Sequence, residues 1–184
     1  MKRKGIIGLI VVIAILAGAM FSGCVEEGGE TAKPTDQVET VTEESKQMEL
    51  LATAVSGSVM TMPKNWDADA EDDGIVVYPD LKDSSGETVQ FENIILPVEI
   101  KIYTTKFTDD FKEVKDRLVY SGTATIDSWR DGNFMFEGGI KIPFENINTV
   151  DSDNDFGIIY TTITLPDGRT IEAKEDFGTR IKTE

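Results

Sequence analysis

The chain predicts an all-β domain: an antiparallel β-sandwich of about eight or nine short strands with one short helix. Three observations lead there. Apolar and polar residues alternate in short runs, turn-forming Gly, Pro, Asp and Asn separate those runs at close intervals, and only one stretch changes to helical spacing.

Taken in order, residues 55–62 form a first strand and 63–73 a loop. Residues 74–81 form the second strand, with Pro79 near its end, where a missing N–H is tolerated. Asp83-Ser84-Ser85-Gly86 is a turn by composition, and 87–92 returns with Val89 and Phe91 on one side. Residues 97–105 alternate most clearly, Val98, Ile100 and Ile102 facing one way and Glu99, Lys101 and Tyr103 the other. Over 108–118 the period changes. Phe111, Val114 and Leu118 recur at helical spacing behind Thr108 as N-cap, with Asp109 and Asp110 in the first turn, and this predicts the helix.

Strand patterning resumes over 119–129, and Asp131-Gly132 reads as a two-residue hairpin turn into 133–137. Gly138-Gly139 suggests a second tight turn before Ile140, Ile142 and Phe144, which alternate with polar residues. An acidic loop spans 145–156, and strands 157–165 and 169–174 close the chain across Pro166-Asp167-Gly168. Antiparallel strands at this spacing, each with one wet face, give a sandwich of immunoglobulin or fibronectin type. A C2-like fold or an open barrel is the main alternative.

The N-terminus decides where the domain lives. Lys2, Arg3 and Lys4 form a basic head, residues 5–21 carry no charge, and Ser22-Gly23-Cys24 ends the segment on small residues, the layout of an export signal. Phe21-Ser22-Gly23-Cys24 resembles the cleavage motif of prokaryotic lipoproteins, with Phe21 where Leu is commoner. That resemblance implies cleavage before Cys24 and a lipid on its sulfur. The 17 apolar residues rise about 25 Å against a hydrocarbon core of about 30 Å, short for a retained span. An ordinary signal peptide, with Cys24 left as a thiol, is the other reading. The expected organisation is a signal peptide over 1–23, a lipidated acidic flexible tether over 24–48, and a sandwich domain over 49–184. Residues 25–48 hold seven acids and no aromatic residue, too little apolar surface to offset the entropy of ordering. Within them, 39–47 is a nascent helix at most.

The runs Asp72-Asp73-Gly74-Ile75, Asp83-Ser84-Ser85-Gly86 and Gly139-Ile140-Lys141-Ile142-Pro143-Phe144 are similar to stretches in uncharacterised archaeal surface lipoproteins with immunoglobulin- or fibronectin-like domains. The Cys…Trp…Cys spacing of true immunoglobulin domains is missing, so the resemblance implies architecture alone.

Charge narrows the partners. The basic head holds three of the 18 Lys and Arg and no acid precedes Cys24, leaving 15 bases against 34 acids, a net charge near −19. Such a field repels nucleic acid and gives no electrostatic grip on anionic lipid, so membrane attachment falls to the lipid on Cys24. With Cys24 so used, no disulfide staples the domain. The chain has no His, which excludes Ser-His-Asp and Cys-His catalysis, no Cys cluster for zinc, and no Gly-rich phosphate loop. A carboxylate pair for glycoside hydrolysis is the remaining enzymatic option, and among 34 acids any pair can be imagined.

Two acidic loops are candidate Ca²⁺ sites. Asp69, Glu71 and Asp73 alternate before Gly74, with Asp80 at the twelfth position of the count, and Asp151, Asp153 and Asp155 repeat the alternation before Gly157. A solvated acidic turn is the plainer reading of both. Two genuine hairpins at 131–132 and 138–139 would put the loops at one end of the sandwich; a continuous strand over 133–145 would put them at opposite ends. Trp66 and Trp129 are candidates for stacking on sugar rings, against the plainer reading that each caps the core. The expectation is a lipid-anchored, extracytoplasmic binding or scaffolding protein. A Ca²⁺-dependent carbohydrate- or protein-recognition module is the second reading, and a carboxylate hydrolase the third.

Overall fold

The computed structural model describes residues 42–67, 69–175 and 178–183. The expected export signal, with Phe21, Ser22, Gly23 and Cys24, and the expected tether up to residue 41 lie outside them. Thr42 accepts the Ser45 N–H (3.2 Å) and caps α1, Glu43–Ala52, with Glu43 and Glu44 in the first turn, where the helix dipole favours acids. The helix buries Leu51, and Gln47 Oε1 accepts the Glu92 N–H (2.8 Å). Residues 43–48, expected as tether, are therefore folded onto the domain, and the one α-helix of the described residues lies here.

The strands are β1 (Ser56–Lys64), β2 (Gly74–Lys82), β3 (Glu92–Phe107), β4 (Glu113–Ser128), β5 (Ile140–Pro143), β6 (Phe156–Thr164), β7 (Thr170–Lys174) and β8 (Thr179–Arg180). They form two antiparallel sheets, one in the order β1-β2-β5 and one in the order β4-β3-β6-β7, with β8 paired to the start of β6. The all-β sandwich read from the alternation is what the chain forms. Its core lies between the sheets. β3 contributes Leu96, Val98, Ile100 and Ile102, β6 contributes Ile159 and Ile163, and β2 faces them with Ile75, Val77 and Leu81, all buried. Along one side β1 runs close to β7: a Cβ on Gly57 would come 3.1 Å from the Ile171 side chain and 3.2 Å from that of Ala173.

Three expectations are corrected. No helix forms over 108–118. Residues 108–112 are instead the turn of a long β3–β4 hairpin, closed by Thr108 N–H to Lys112 O (2.9 Å) and Phe111 N–H to Thr108 O (2.9 Å). Phe111 and Leu118 are exposed, so the helical spacing marked no buried face. Thr108 still caps, but caps the turn, accepting the Lys112 N–H at 3.2 Å.

Asp131-Gly132 is no hairpin either. Trp129–Gly132 is a 3₁₀ turn with Ser128 and Asp131 capping each other's backbone, and 133–139 crosses the outer face of β2. Gly139 (φ +84°) lies where a Cβ would come 2.4 Å from the Val76 side chain, and Gly132 lies against the Pro79 carbonyl. This cover explains why Ile75, Val76, Val77 and Tyr78 are all buried: β2 is covered on both faces. Residues 87–92 make no strand of their own beyond one bridge, Lys82 to Thr88, before β3 begins. The closing hairpin matches its sequence reading, with Leu165 N–H to Arg169 O (2.8 Å) and Gly168 at φ +84°.

Tracing the strands defines two ends. α1, the turn after β2, the 3₁₀ turn at 129–132 and the β6–β7 turn share the near end, where the chain joins the domain. Loop 65–73, the β3–β4 turn, the segment 144–155 and residues 178–183 share the far end.

Because Ile100 sits fully buried in the middle of β3, Ile100→Ala is expected to cost about 3 kcal/mol in chemical denaturation. Thr123→Ala, on the exposed side of β4, should change stability by less than about 0.5 kcal/mol.

Candidate functional site

Both acidic loops are at the far end, though neither hairpin expected to put them there exists. They flank the C-terminal segment: Ala70, Glu71 and Asp72 line one hollow with Phe144, Arg180 and Lys182, and Glu145, Val150 and Asp151 line the next with the same Phe144 and Lys182.

The first loop organises itself through its own carboxylates. Asp73 Oδ2 accepts the Trp66 N–H (2.6 Å) and the Asp67 N–H (3.2 Å). Asp67 Oδ1 accepts the Asp69 N–H (2.8 Å), and Asp69 Oδ1 accepts the Glu71 N–H (2.9 Å). The alternation of acids is thus a chain of side-chain-to-backbone turns, in which Asp caps N–H groups that no strand satisfies. Asp80, twelfth in the count, is not returned to the loop. It lies six residues along an extended strand, about 20 Å from Gly74, paired with Lys82 Nζ (2.6 Å) and the Thr88 hydroxyl (2.9 Å).

In the second loop Asp153 is the pivot. Its carboxylate takes the Arg117 guanidinium from β4 and the Val150 N–H (2.8 Å), while Lys182 Nζ reaches the Asp153 carbonyl (2.5 Å) and the Asp155 carboxylate (3.5 Å). Burial works to raise the Asp153 carboxyl, but the Val150 N–H, Arg117 and Lys182 outweigh it and hold the group below its usual value. A cation arriving here would have to displace two resident ones. Among the described residues no group of three or more acids is placed to hold a metal. Asp151 stands apart from Asp153, at the neighbouring hollow.

Trp66 and Trp129 lie at opposite ends and form no common platform. Trp66 is half-buried against Gly74, with Lys141 Nζ 5.4 Å from its ring centre. Trp129 is half-buried at the near end, edge-on to Phe136 (5.2 Å), and its backbone N–H donates to the Phe91 carbonyl (3.0 Å). Trp129 therefore packs on the near end of the core, and Trp66 on the start of β2.

Two features of the far end were not read from the sequence. The first is Glu175, only 7 % exposed, whose carboxylate takes hydroxyl bonds from Thr61 on β1 and from Thr179 on β8 (2.8 Å to the latter). It joins the two sheets along their β1–β7 side. Burial raises its carboxyl above the usual value, and the two hydroxyls only partly offset this. The signal was in the pattern, because Glu175 continues the inward row of Ile171 and Ala173. The second is the end of the β3–β4 hairpin, where Phe107 and Phe111 are exposed and Phe107 lies beside residues 152–154 of the second acidic loop.

Comparisons of this chain with protein-family models, with curated proteins and with solved structures found no match.

The two carboxyls carry opposite pH signatures. A depressed folded value means that Asp153 contributes stability above the ordinary carboxylate range and loses it as pH falls through the folded value. Asp153→Asn should cost about 2 kcal/mol near neutral pH and progressively less in acid, read by denaturant midpoints across pH. A raised folded value means that Glu175 favours folding below the ordinary range and loses that contribution as pH rises through its folded value. Glu175→Gln should remove that decline and leave the protein more stable than wild type at neutral pH.

Proposed function

We propose that this chain is an exported protein anchored to the outer face of the cell membrane through a lipid on Cys24, and that it acts there by binding or scaffolding rather than by catalysis. The basic head, the uncharged run and the Phe21-Ser22-Gly23-Cys24 motif support the anchor. The charge balance supports it independently: a chain with 34 acids and 18 bases has no electrostatic hold on an anionic surface. One lipid chain anchors only marginally, so the cysteine carries more than one.

The observation that carries the binding reading is the division of the domain into two ends. The chain joins at the near end, through α1, and both acidic loops, with the exposed Phe107, Phe111 and Phe156, gather at the other. Binding loops held on a rigid sandwich, away from the attachment point, suit recognition. In the acidic loops, Asp67, Asp69 and Asp73 cap backbone N–H groups and Asp153 and Asp155 pair with Arg117 and Lys182, which favours a non-catalytic role.

The strand order favours the fibronectin-type form of the sandwich. If β1, β2 and β5 are strands A, B and E of the immunoglobulin scheme and β3, β6 and β7 are C, F and G, then β4 takes the place of D but pairs with C on the larger sheet.

Cys24→Ser is expected to move the protein from the membrane fraction to the soluble extracytoplasmic fraction and to abolish incorporation of labelled lipid. Equal membrane retention by the variant would refute the anchor.

A further inference from the structure

We propose that the tip of the β3–β4 hairpin is a docking element for an electropositive partner protein, with Phe111 as the side chain inserted into an apolar pocket of that partner. The inference deepens the binding reading above and names the surface that does the binding.

Phe111 is 87 % exposed and sits at φ +58°, in the left-handed region. The turn position calls for Gly or Asn, and a bulky residue there costs stability. Exposure of the ring returns none of that cost through burial. The fold and its solubility would both be served by another residue. Phe134–Phe136, the other exposed aromatic segment, differs in this respect: Phe136 packs on Trp129 and so serves the fold.

The surroundings of Phe111 suit an interface. Phe107, two-thirds exposed, lies beside 152–154, and Val150 and Phe156 are half exposed at the same end. Two lysines of the hairpin pair within it, Lys106 with Asp116 (2.5 Å) and Lys112 with Asp110 (2.6 Å), and Lys115 lies over the Tyr103 and Tyr160 rings. The tip is thus an apolar centre beside two ion pairs, whose internal matching limits the desolvation cost of inserting it. Beyond these pairs, loop 65–73 holds Asp67, Asp69, Glu71, Asp72 and Asp73, and the second loop adds Glu145 and Asp151. Their field, within a chain of net charge −16, draws a cationic surface toward the tip and raises its rate of encounter. The same charge repels a second copy of the chain and an anionic lipid surface.

The test pans a library of disulfide-constrained random peptides against the purified full-length protein, and the best binder is then made synthetically. The expected consensus is Lys or Arg around one or two aliphatic residues. Affinity should fall about 30-fold or more with Phe111→Ser and with rising salt, and hold with Phe134→Ser. Phe111→Gly separates function from fold, because it should raise Tm by about 3 °C while losing the peptide. Acidic winners, or winners that bind Phe111→Ser as tightly as wild type, would overturn the proposal. So would Phe111-dependent self-association in sedimentation, or Phe111-dependent clustering of 3:1 phosphatidylcholine–phosphatidylglycerol vesicles. Cys24→Ser should leave peptide affinity unchanged, so failure of the anchor and failure of the docking tip are read separately.

Discussion

The structure depends on the inward row of β3. Leu96, Val98, Ile100 and Ile102 fill the space between the sheets, and the same strand carries β4 on one edge and β6 on the other. The chain's one cysteine lies outside the domain, so no covalent bond shares this task. Burial of apolar area must outweigh the ordering of the chain by itself. The other sheet is smaller and leans on this row through Ile75, Val77 and Leu81, and the cover over 133–139 completes the burial of β2 from outside. A perturbation of β3 therefore reaches both sheets, whereas one in β5 or β8 stays local.

Where the chain buries one face of a regular strand, its sequence was legible. The alternation over 97–105, the start of β2 at Gly74 and the Pro166-Asp167-Gly168 hairpin all appear as read. The errors fall where side chains act on local backbone instead. Thr108, Asp109 and Asp110 carry the signature of a helix start, but the same hydroxyl and carboxylate serve a hairpin turn equally well. Asp131 looks like the first residue of a two-residue turn, and is spent capping Ser128. One missed signal was strong. Four consecutive buried residues, Ile75–Tyr78, cannot belong to a half-wet strand, and they imply a covering segment such as 133–139.

The candidate site was legible in place but not in role. Acidic loops were expected, and they do share one end. In the first loop the regular spacing resembled cation ligation because Asp67 and Asp69 each reach a backbone N–H two residues on, which produces the same alternation. Arg117 and Lys182, which compensate Asp153, come from a different strand and from the C-terminal segment, so no local pattern announces them. Glu175 is the inverse case: its place in the period of Ile171 and Ala173 declares it inward, and only its partners Thr61 and Thr179 needed the fold to be found.

The separation of the two ends has a mechanical consequence. A force applied between α1 and the far loops runs along the strands, not across them. β1 is the first strand in that path, and nine register pairs hold it to β2, from Ser56–Lys82 to Lys64–Gly74. Hydrogen bonds in an antiparallel ladder lie perpendicular to the strands, so such a load shears all of them together instead of peeling them one at a time. The Arg169 guanidinium, bonded to the Ala54 (2.9 Å) and Ala52 (3.1 Å) carbonyls, clamps the link between α1 and β1 where tension would first arrive. Pulled along its length, the domain resists as a unit.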